Sequence, residues 1–262
     1  MRVDLHNHTT LCNHASGSID EYISKAVELG INIYGFSCHA PMDFDSKYRM
    51  TFEELDEYHK MIIEAKKKYE NQIEILMGLE VDFIKGREYL LDKKVLQYPC
   101  DYLIGSIHFI DEWGFDNPEF IGEYAKKDID EYWKKYLQSI QKMAESRFFQ
   151  IVGHFDLLKI FGYKPTESIF PYIKETLQVI RETEMVIEIN AAGFRKPIKE
   201  QYPDFKILEY AKKIGIPITF GSDAHSIDQV GFGYEKCLQI AKKIGYKKAI
   251  YFKNKNPYSF SL

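Results

Sequence analysis

Paired cysteines are missing from this chain. Cys12, Cys38, Cys100 and Cys237 are widely spaced, with no C-x-x-C pair and no disulfide-like density. No uninterrupted apolar stretch approaches the ~20 residues of a membrane-spanning helix, which argues against a helical membrane protein. The first residues run straight into Arg2-Val3-Asp4-Leu5 without a signal-peptide apolar region. A basic stripe is also lacking: the net charge is -4 and acids and bases are interspersed. Sequence-independent nucleic-acid binding needs such a stripe, so only a local basic pocket stays open. Internal repeats, low-complexity segments and linkers are absent too. These absences predict one domain over residues 1–262, a reducing cytoplasmic setting and a small-molecule partner, with oligomeric state left open.

What is present is an alternation of short apolar runs and helical patterns. The predicted strands are Arg2–Leu5, Ile33–Ser37, Ile73–Glu80, Tyr102–Ile107, Gln150–Gly153, Met185–Asn190 and Pro217–Gly221. They are short and mostly β-branched or Leu-rich, as strands buried on both faces are. Helices are predicted near 20–29, 52–70, 87–97, 127–145, 169–183, 204–214 and 234–244. Asp20 and Gly30 supply start and stop signals for the first of these. Leu55, Tyr58, Ile62 and Tyr69 recur at helical spacing along the second. Residues 40–51 and 109–126 have no clear period and read as longer loops; the tail at 246–262 reads as an extra strand or as packing.

Alternation alone fits both an open doubly wound sheet and a barrel. The polar residues favour the barrel, because every predicted strand ends at a chemically capable side chain. In order these are His6 and His8, His39, Glu80, His108, His154, Asn190, then Asp223 with His225; His14 follows the first group closely. One rim of a closed barrel gathers them, whereas the outer strands of an open sheet would hold them apart. The expected fold is therefore α/β: a distorted, TIM-barrel-like barrel of seven strands, with a metal site at their C-terminal rim.

Imidazole and carboxylate are the common ligands of zinc, iron and manganese. His6 and His8 are two apart and face one way in extended chain, with Asp4 on the same side as a partner able to fix an imidazole tautomer. Asp223 and His225 repeat that spacing after the last strand, and the two oxygens of Glu80 can bridge neighbouring ions. Taken singly, each residue has a blander role: a loop hydrogen bond for a histidine, a turn cap for Asp223, a lysine partner for Glu80. One shared cause explains all of them better than seven coincidences. His59 lies mid-helix and reads as structural; Cys12 and Cys38 read as small packing residues.

The set D-x-H-x-H, His14, His39, Gly-Leu-Glu80, Gly-Ser-Ile-His108, Gly-His154 and Gly-Ser-Asp-Ala-His225 resembles the polymerase-and-histidinol-phosphatase (PHP) superfamily, in family order across nearly the whole chain. His39-Ala40-Pro41, the segments from Gly153 to Lys159 and Glu188 to Lys196, and Tyr202-Pro203 resemble its histidinol-phosphatase branch. The resemblance implies a distorted seven-stranded barrel with three divalent ions, zinc, iron or manganese. It implies His6, His8, Glu80 and Asp223 at one ion, Glu80, His108 and His154 at the second, and His14, His39 and His225 at the third.

The resemblance further implies hydrolysis of L-histidinol phosphate, a step in histidine biosynthesis, by a metal-activated hydroxide. Arg195 is the candidate phosphate cation and Lys159 a second. Asp223 or His225 would protonate the leaving oxygen, and Asp43, Asp45, Glu112 and Asp116 would receive the substrate's amine and imidazole. Three other readings stay open: a PHP enzyme acting on a different ester, a nucleotide or DNA; a metal-dependent amidohydrolase, which needs an eighth strand; and a metal-storage protein with closed coordination shells.

Overall fold

All seven expected strands form, and the side chains that end them come to one rim. The structure is a computed structural model that describes residues 1–262. In chain order it runs β1 (Val3–Asp4), α1 (Ile19–Glu28), β2 (Ile33–Phe36), α2 (Leu55–Lys68), β3 (Glu74–Asp82) and α3 (Lys93–Leu96). Next come β4 (Tyr102–Ser106), β5 (Phe109–Ile110), β6 (Trp113–Gly114), α4 (Ile129–Glu145), β7 (Ile151–Val152) and α5 (Phe170–Glu182). The chain ends with β8 (Val186–Asn190), α6 (Phe205–Lys213), β9 (Ile218–Gly221), α7 (Tyr234–Ile244), β10 (Lys248–Lys253) and β11 (Asn256–Ser261).

Seven strands form one parallel sheet in the order β1-β2-β3-β4-β7-β8-β9. The sheet curls until its edges meet. Leu5 N donates to the Phe220 carbonyl at 2.9 Å, Asp223 N to that of His6 at 2.7 Å, and His8 N to that of Ala224 at 2.9 Å. The barrel is thus nearly closed, and the eighth strand that an amidohydrolase requires is not part of it.

Tyr102 shows how the interior is filled. Its hydroxyl donates to the Leu5 carbonyl at 2.6 Å from β4, beyond β2 and β3. That crossing runs where Cβ atoms would stand at Gly35 and Gly78: one at 78 would meet Tyr102 Cζ at 2.6 Å. Glycine is needed on both strands because the ring has nowhere else to lie. One apolar core joins strand residues such as Phe36, Leu103 and Ile187 to α1, α2, α4 and α5. A second joins Val3, Leu76, Ile104 and Ile218 to α7 and to Phe252 and Phe260 of the C-terminal hairpin.

Several boundaries differ from the sequence reading. The helix expected over 87–97 is only α3, because Leu91 and Asp92 are extended and Asp92 caps the short helix through Lys94 N. Ser18, rather than Asp20, caps α1, in a reciprocal box with Glu21. The loop at 109–126 holds the small β5–β6 hairpin and a 3-10 helix over Pro118–Lys126. The tail is an antiparallel hairpin, β10–β11, outside the main sheet.

Candidate metal centre

Glu80, near the end of β3 and 2 % exposed, is the hub of the rim. Its Oε2 lies 3.3 Å from His6 Nε2, 3.6 Å from His8 Nε2 and 3.0 Å from His39 Nδ1. Its Oε1 lies 2.9 Å from His154 Nε2 and 3.7 Å from His108 Nε2. Asp223 faces it from beyond β9, with Oδ1 at 3.3 Å from His8 Nε2 and 3.9 Å from His6 Nε2. Ligand atoms of His6, His8 and Asp223 form one group within 4.8 Å, and those of His6, Glu80 and His154 another.

A second cluster adjoins the first. The His225 ring stacks on His8 at 3.9 Å between centroids, and His14 lies 4.6 Å from His225 and 5.3 Å from His39. The expected trio of His14, His39 and His225 resolves into two overlapping groups, His8–His39–His225 and Cys12–His14–His225. His59, by contrast, sits on α2 beside the Tyr98 ring, away from the rim.

The imidazoles are held from behind. His6 Nδ1 donates to Glu188 Oε1 at 2.8 Å; an ionised carboxylate only accepts, so His6 Nε2 is the free nitrogen. The other Glu188 oxygen accepts from His154 N at 3.0 Å and Asn190 Nδ2 at 3.1 Å. His108 Nδ1 donates to Asp82, whose second oxygen takes Arg49 Nη2 at 2.8 Å. Ser106 Oγ donates to Glu80 Oε1 at 2.7 Å. Asp4 has a different role from the one expected. Its oxygens accept from Ser222 N at 2.9 Å, Ser222 Oγ at 2.6 Å and Gly231 N at 3.2 Å, so it braces the turn after β9 and touches no imidazole.

Burial would raise the pKa of Glu80, but His39 and His6 beside it hold it well below the ordinary carboxylate range. Asp223 is likewise held low against its burial, by the neighbouring His6 and His8 imidazoles. Burial opposes charge on His8 and His108, yet Asp223, Cys38 and Glu80 raise the first to about 9, and Asp82 raises the second to about 10. Burial pushes His39, His225 and His14 downward, which favours the neutral imidazole that binds cations.

Buried nitrogens without a hydrogen-bond partner test whether cations fit. His6 Nε2, His8 Nε2 and His225 Nε2 have none. An unpaired buried polar atom costs about 1–3 kcal/mol, so a set of them around two ionised carboxylates fits a group of divalent cations. The mixed N/O donor set suits zinc, iron or manganese.

A cavity of about 550 Å³ opens over the cluster, walled by His14, His39, His108, His154 and Tyr202 among others. Arg195 is on its wall. Arg195 Nη2 donates to the carbonyls of Ser222 and Asp223 at 2.9 and 2.8 Å, and its Nη1 is buried without a partner. Lys159 is elsewhere: 1 % exposed, it pairs with Asp156 and Glu200 at 2.8 Å each and donates to the Gln201 carbonyl. It has no Nζ donor left over and no place on the cavity wall, the position of a core ion-pair residue. Of the four expected loop acids, Asp45 and Asp116 line the cavity. Asp43 is exposed outside it, and Glu112 is exposed and pairs with Arg87.

Glu188, Asp82, Arg49 and Tyr202 went unrecognised in the sequence as parts of the site. A glutamate inside the apolar run Val186–Asn190 was the available sign, since buried acids need partners. Asp82 is two residues beyond Glu80 on the same strand, hence on the same face.

Residues 4–192 match the model of the PHP domain, and residues 204–238 match that described as PHP-associated. Both matched regions supply strands to the one parallel sheet. A probable histidinol-phosphatase of Deinococcus radiodurans is 35% identical over 244 residues, covering 92% of this chain and 93% of that one. The histidinol-phosphatase of Bacillus subtilis is 30% identical, over 90% of this chain and 98% of its own. Among solved structures, the histidinol phosphate phosphatase of Lactococcus lactis, complexed with zinc, L-histidinol and phosphate, superposes with a TM-score of 0.83. It is 22% identical, and the match covers 98% of each chain.

Proposed function

The chain belongs to the PHP-domain family and is a metal-dependent phosphoesterase, and we propose that it hydrolyses L-histidinol phosphate to L-histidinol and phosphate. One observation carries this reading most directly. Seven imidazoles and the Glu80 and Asp223 carboxylates converge under a cavity of about 550 Å³, with Arg195 on its wall. The relatives' activity and the ligands of the Lactococcus lactis protein support the same substrate.

His6, His8, Glu80 and Asp223 would hold one ion; Glu80, His108 and His154 a second; His14, His39 and His225 a third. Such ions, when bound, make water nucleophilic near neutral pH and offset charge on phosphoryl oxygens. The chain's own residues do the rest. Arg195, anchored by Nη2, offers Nη1 to a phosphoryl oxygen, where a charge-assisted hydrogen bond orients the ester. Water attacks phosphorus in line with the alcohol; a P–O bond to water forms and the ester P–O bond breaks. Asp223, ionised, or His225, neutral, takes the proton that the attacking water gives up and passes it to the departing oxygen. Asp116 has no ion pair and lines the cavity, so it receives the substrate's ammonium, whereas Asp45 is engaged with Arg49 at 3.5 Å. The four unpaired cysteines suit a reducing, cytoplasmic setting.

The deciding experiment is a phosphate-release screen over small monoesters, nucleotides included, with metal analysis of the same sample. L-histidinol phosphate should lead the panel in kcat/KM. A nucleotide ahead of it would move the chain to another branch, and no release from any ester would end the reading.

A further inference from the structure

Behind the metal centre lies a second cluster of ligand atoms that phosphate-ester hydrolysis does not use. Cys12 and Cys38 are both fully buried and free. Their sulfurs and a His8 nitrogen all lie within 4.8 Å of one another. Cys12 comes from the turn after β1 and Cys38 from the end of β2, so closure of the barrel brings them together. Thr9 Oγ1, 3.3 Å from Cys38 Sγ, adds an oxygen.

His8 connects the two clusters. Its Nε2 faces Asp223 and Glu80, and its Nδ1 is buried with no hydrogen-bond partner. His8 is also among the residues lining a separate cleft of about 330 Å³, with Thr9, Gly17, Ser18, Tyr22 and Phe36.

We infer that Cys12, Cys38 and His8 Nδ1 form a binding site for one thiophilic d10 cation, with Thr9 Oγ1 in reach as a fourth ligand. Two sulfurs and an imidazole select zinc, cadmium or copper(I) over magnesium, calcium or manganese. Metal–sulfur bonds near 2.3 Å set ligands roughly 4 Å apart, so small side-chain adjustments close the group around an ion. On binding, both thiols give their protons to solvent and each sulfur donates a lone pair to the cation. His8 then bridges this ion and the catalytic cluster, and occupancy at the back draws on a ligand of the front.

Cadmium is the probe, titrated into the zinc-loaded protein under a non-thiol reductant. We expect a thiolate-to-cadmium charge-transfer absorbance that saturates at one equivalent per chain. The cadmium-113 resonance should be strongly deshielded relative to ions held by nitrogen and oxygen alone. Cys38→Ser should remove the band and weaken binding more than tenfold; the double variant Cys100→Ser/Cys237→Ser should keep it. A band that survives Cys38→Ser would place cadmium on Cys12 with His14 and His225 and overturn the proposal. Should Cys38→Ser fail to fold, the wild-type protein decides alone: no charge-transfer band, or a resonance in the nitrogen-and-oxygen range, ends it.

Discussion

Glu188 occupies the space that a side chain at Gly221 would need. A Cβ built at 221 lands on Glu188 Oε1 and comes within 2.6 Å of His6 Cβ. Strands β8 and β9 are paired there, so neither backbone can withdraw without opening the barrel. The missing side chain at 221 is what lets one carboxylate hold His6 and the His154 backbone together. Gly221→Ala should therefore destabilise the fold by about 1–3 kcal/mol through overpacking. It should also lower metal content, because His6 loses its orienting partner. Glu188→Gln keeps the volume and should instead reduce metal affinity or activity roughly 10–100-fold with little change in melting temperature. Thermal melts beside metal analysis of both variants test this; an alanine variant with unchanged stability and metal content would show that Glu188 has room to move.

Removal of the ions should abolish turnover while leaving secondary structure in place. The barrel core is apolar and separate from the rim, but ions that bind only the folded chain add stability by mass action. Chelated protein should melt at a lower temperature and regain activity on addition of zinc. Full activity in protein shown to be metal-free would remove the cations from the reaction.

Arg195 tests the phosphate contact. Its Nη2 hydrogen bonds fix the guanidinium, and Nη1 is the atom left for substrate. A hydrogen bond to a charged group is worth about 1.5–3 kcal/mol, so Arg195→Ala should lose roughly 10–100-fold in kcat/KM. Metal content should stay near that of the parent. Arg195→Lys should recover only part of the loss, since an ammonium cannot replace the planar fork. Equal kcat/KM in the alanine variant would take Arg195 out of the mechanism.

Strand-end chemistry was readable because apolar runs stop abruptly at His6, His39, His108 and His154, and a barrel must gather such ends on one rim. Residues that brace the ligands were harder to see. Glu188 sits inside a strand whose other residues are apolar or amide, and nothing in one chain says which buried acid faces which imidazole. Asp4 looked suited to orient His6 from its spacing, but the turn after β9 claims both its oxygens. The placement of Lys159 was hidden for a similar reason. A cation after a strand resembles a phosphate ligand until the 3-10 turn over Leu157–Lys159 carries it back to Asp156, three residues earlier.

Lys159 should accordingly matter for stability rather than chemistry. Lys159→Met leaves Asp156 buried at 1 % exposure without its cation, while Glu200 keeps Lys164. Removing one partner of a buried pair costs about 3–5 kcal/mol, far more than a surface lysine would. Denaturant unfolding should show that loss, and kcat/KM measured where the variant is fully folded should fall less than threefold. A variant as stable as the parent but tenfold less active would return Lys159 to the substrate.

Asp116 separates recognition of the amine from recognition of the phosphate. It lines the cavity without an ion pair, and burial raises its pKa despite His108 nearby. A substrate ammonium would supply the positive charge that this carboxylate lacks. Asp116→Asn should therefore raise KM for L-histidinol phosphate about tenfold, in line with one charge-assisted contact. For an aryl phosphate with no amine, KM and kcat should be almost unchanged, because no partner was lost. Paired steady-state kinetics on the two esters make the comparison. If both substrates lose equally, Asp116 acts through His108 and the metal cluster rather than by gripping the amine.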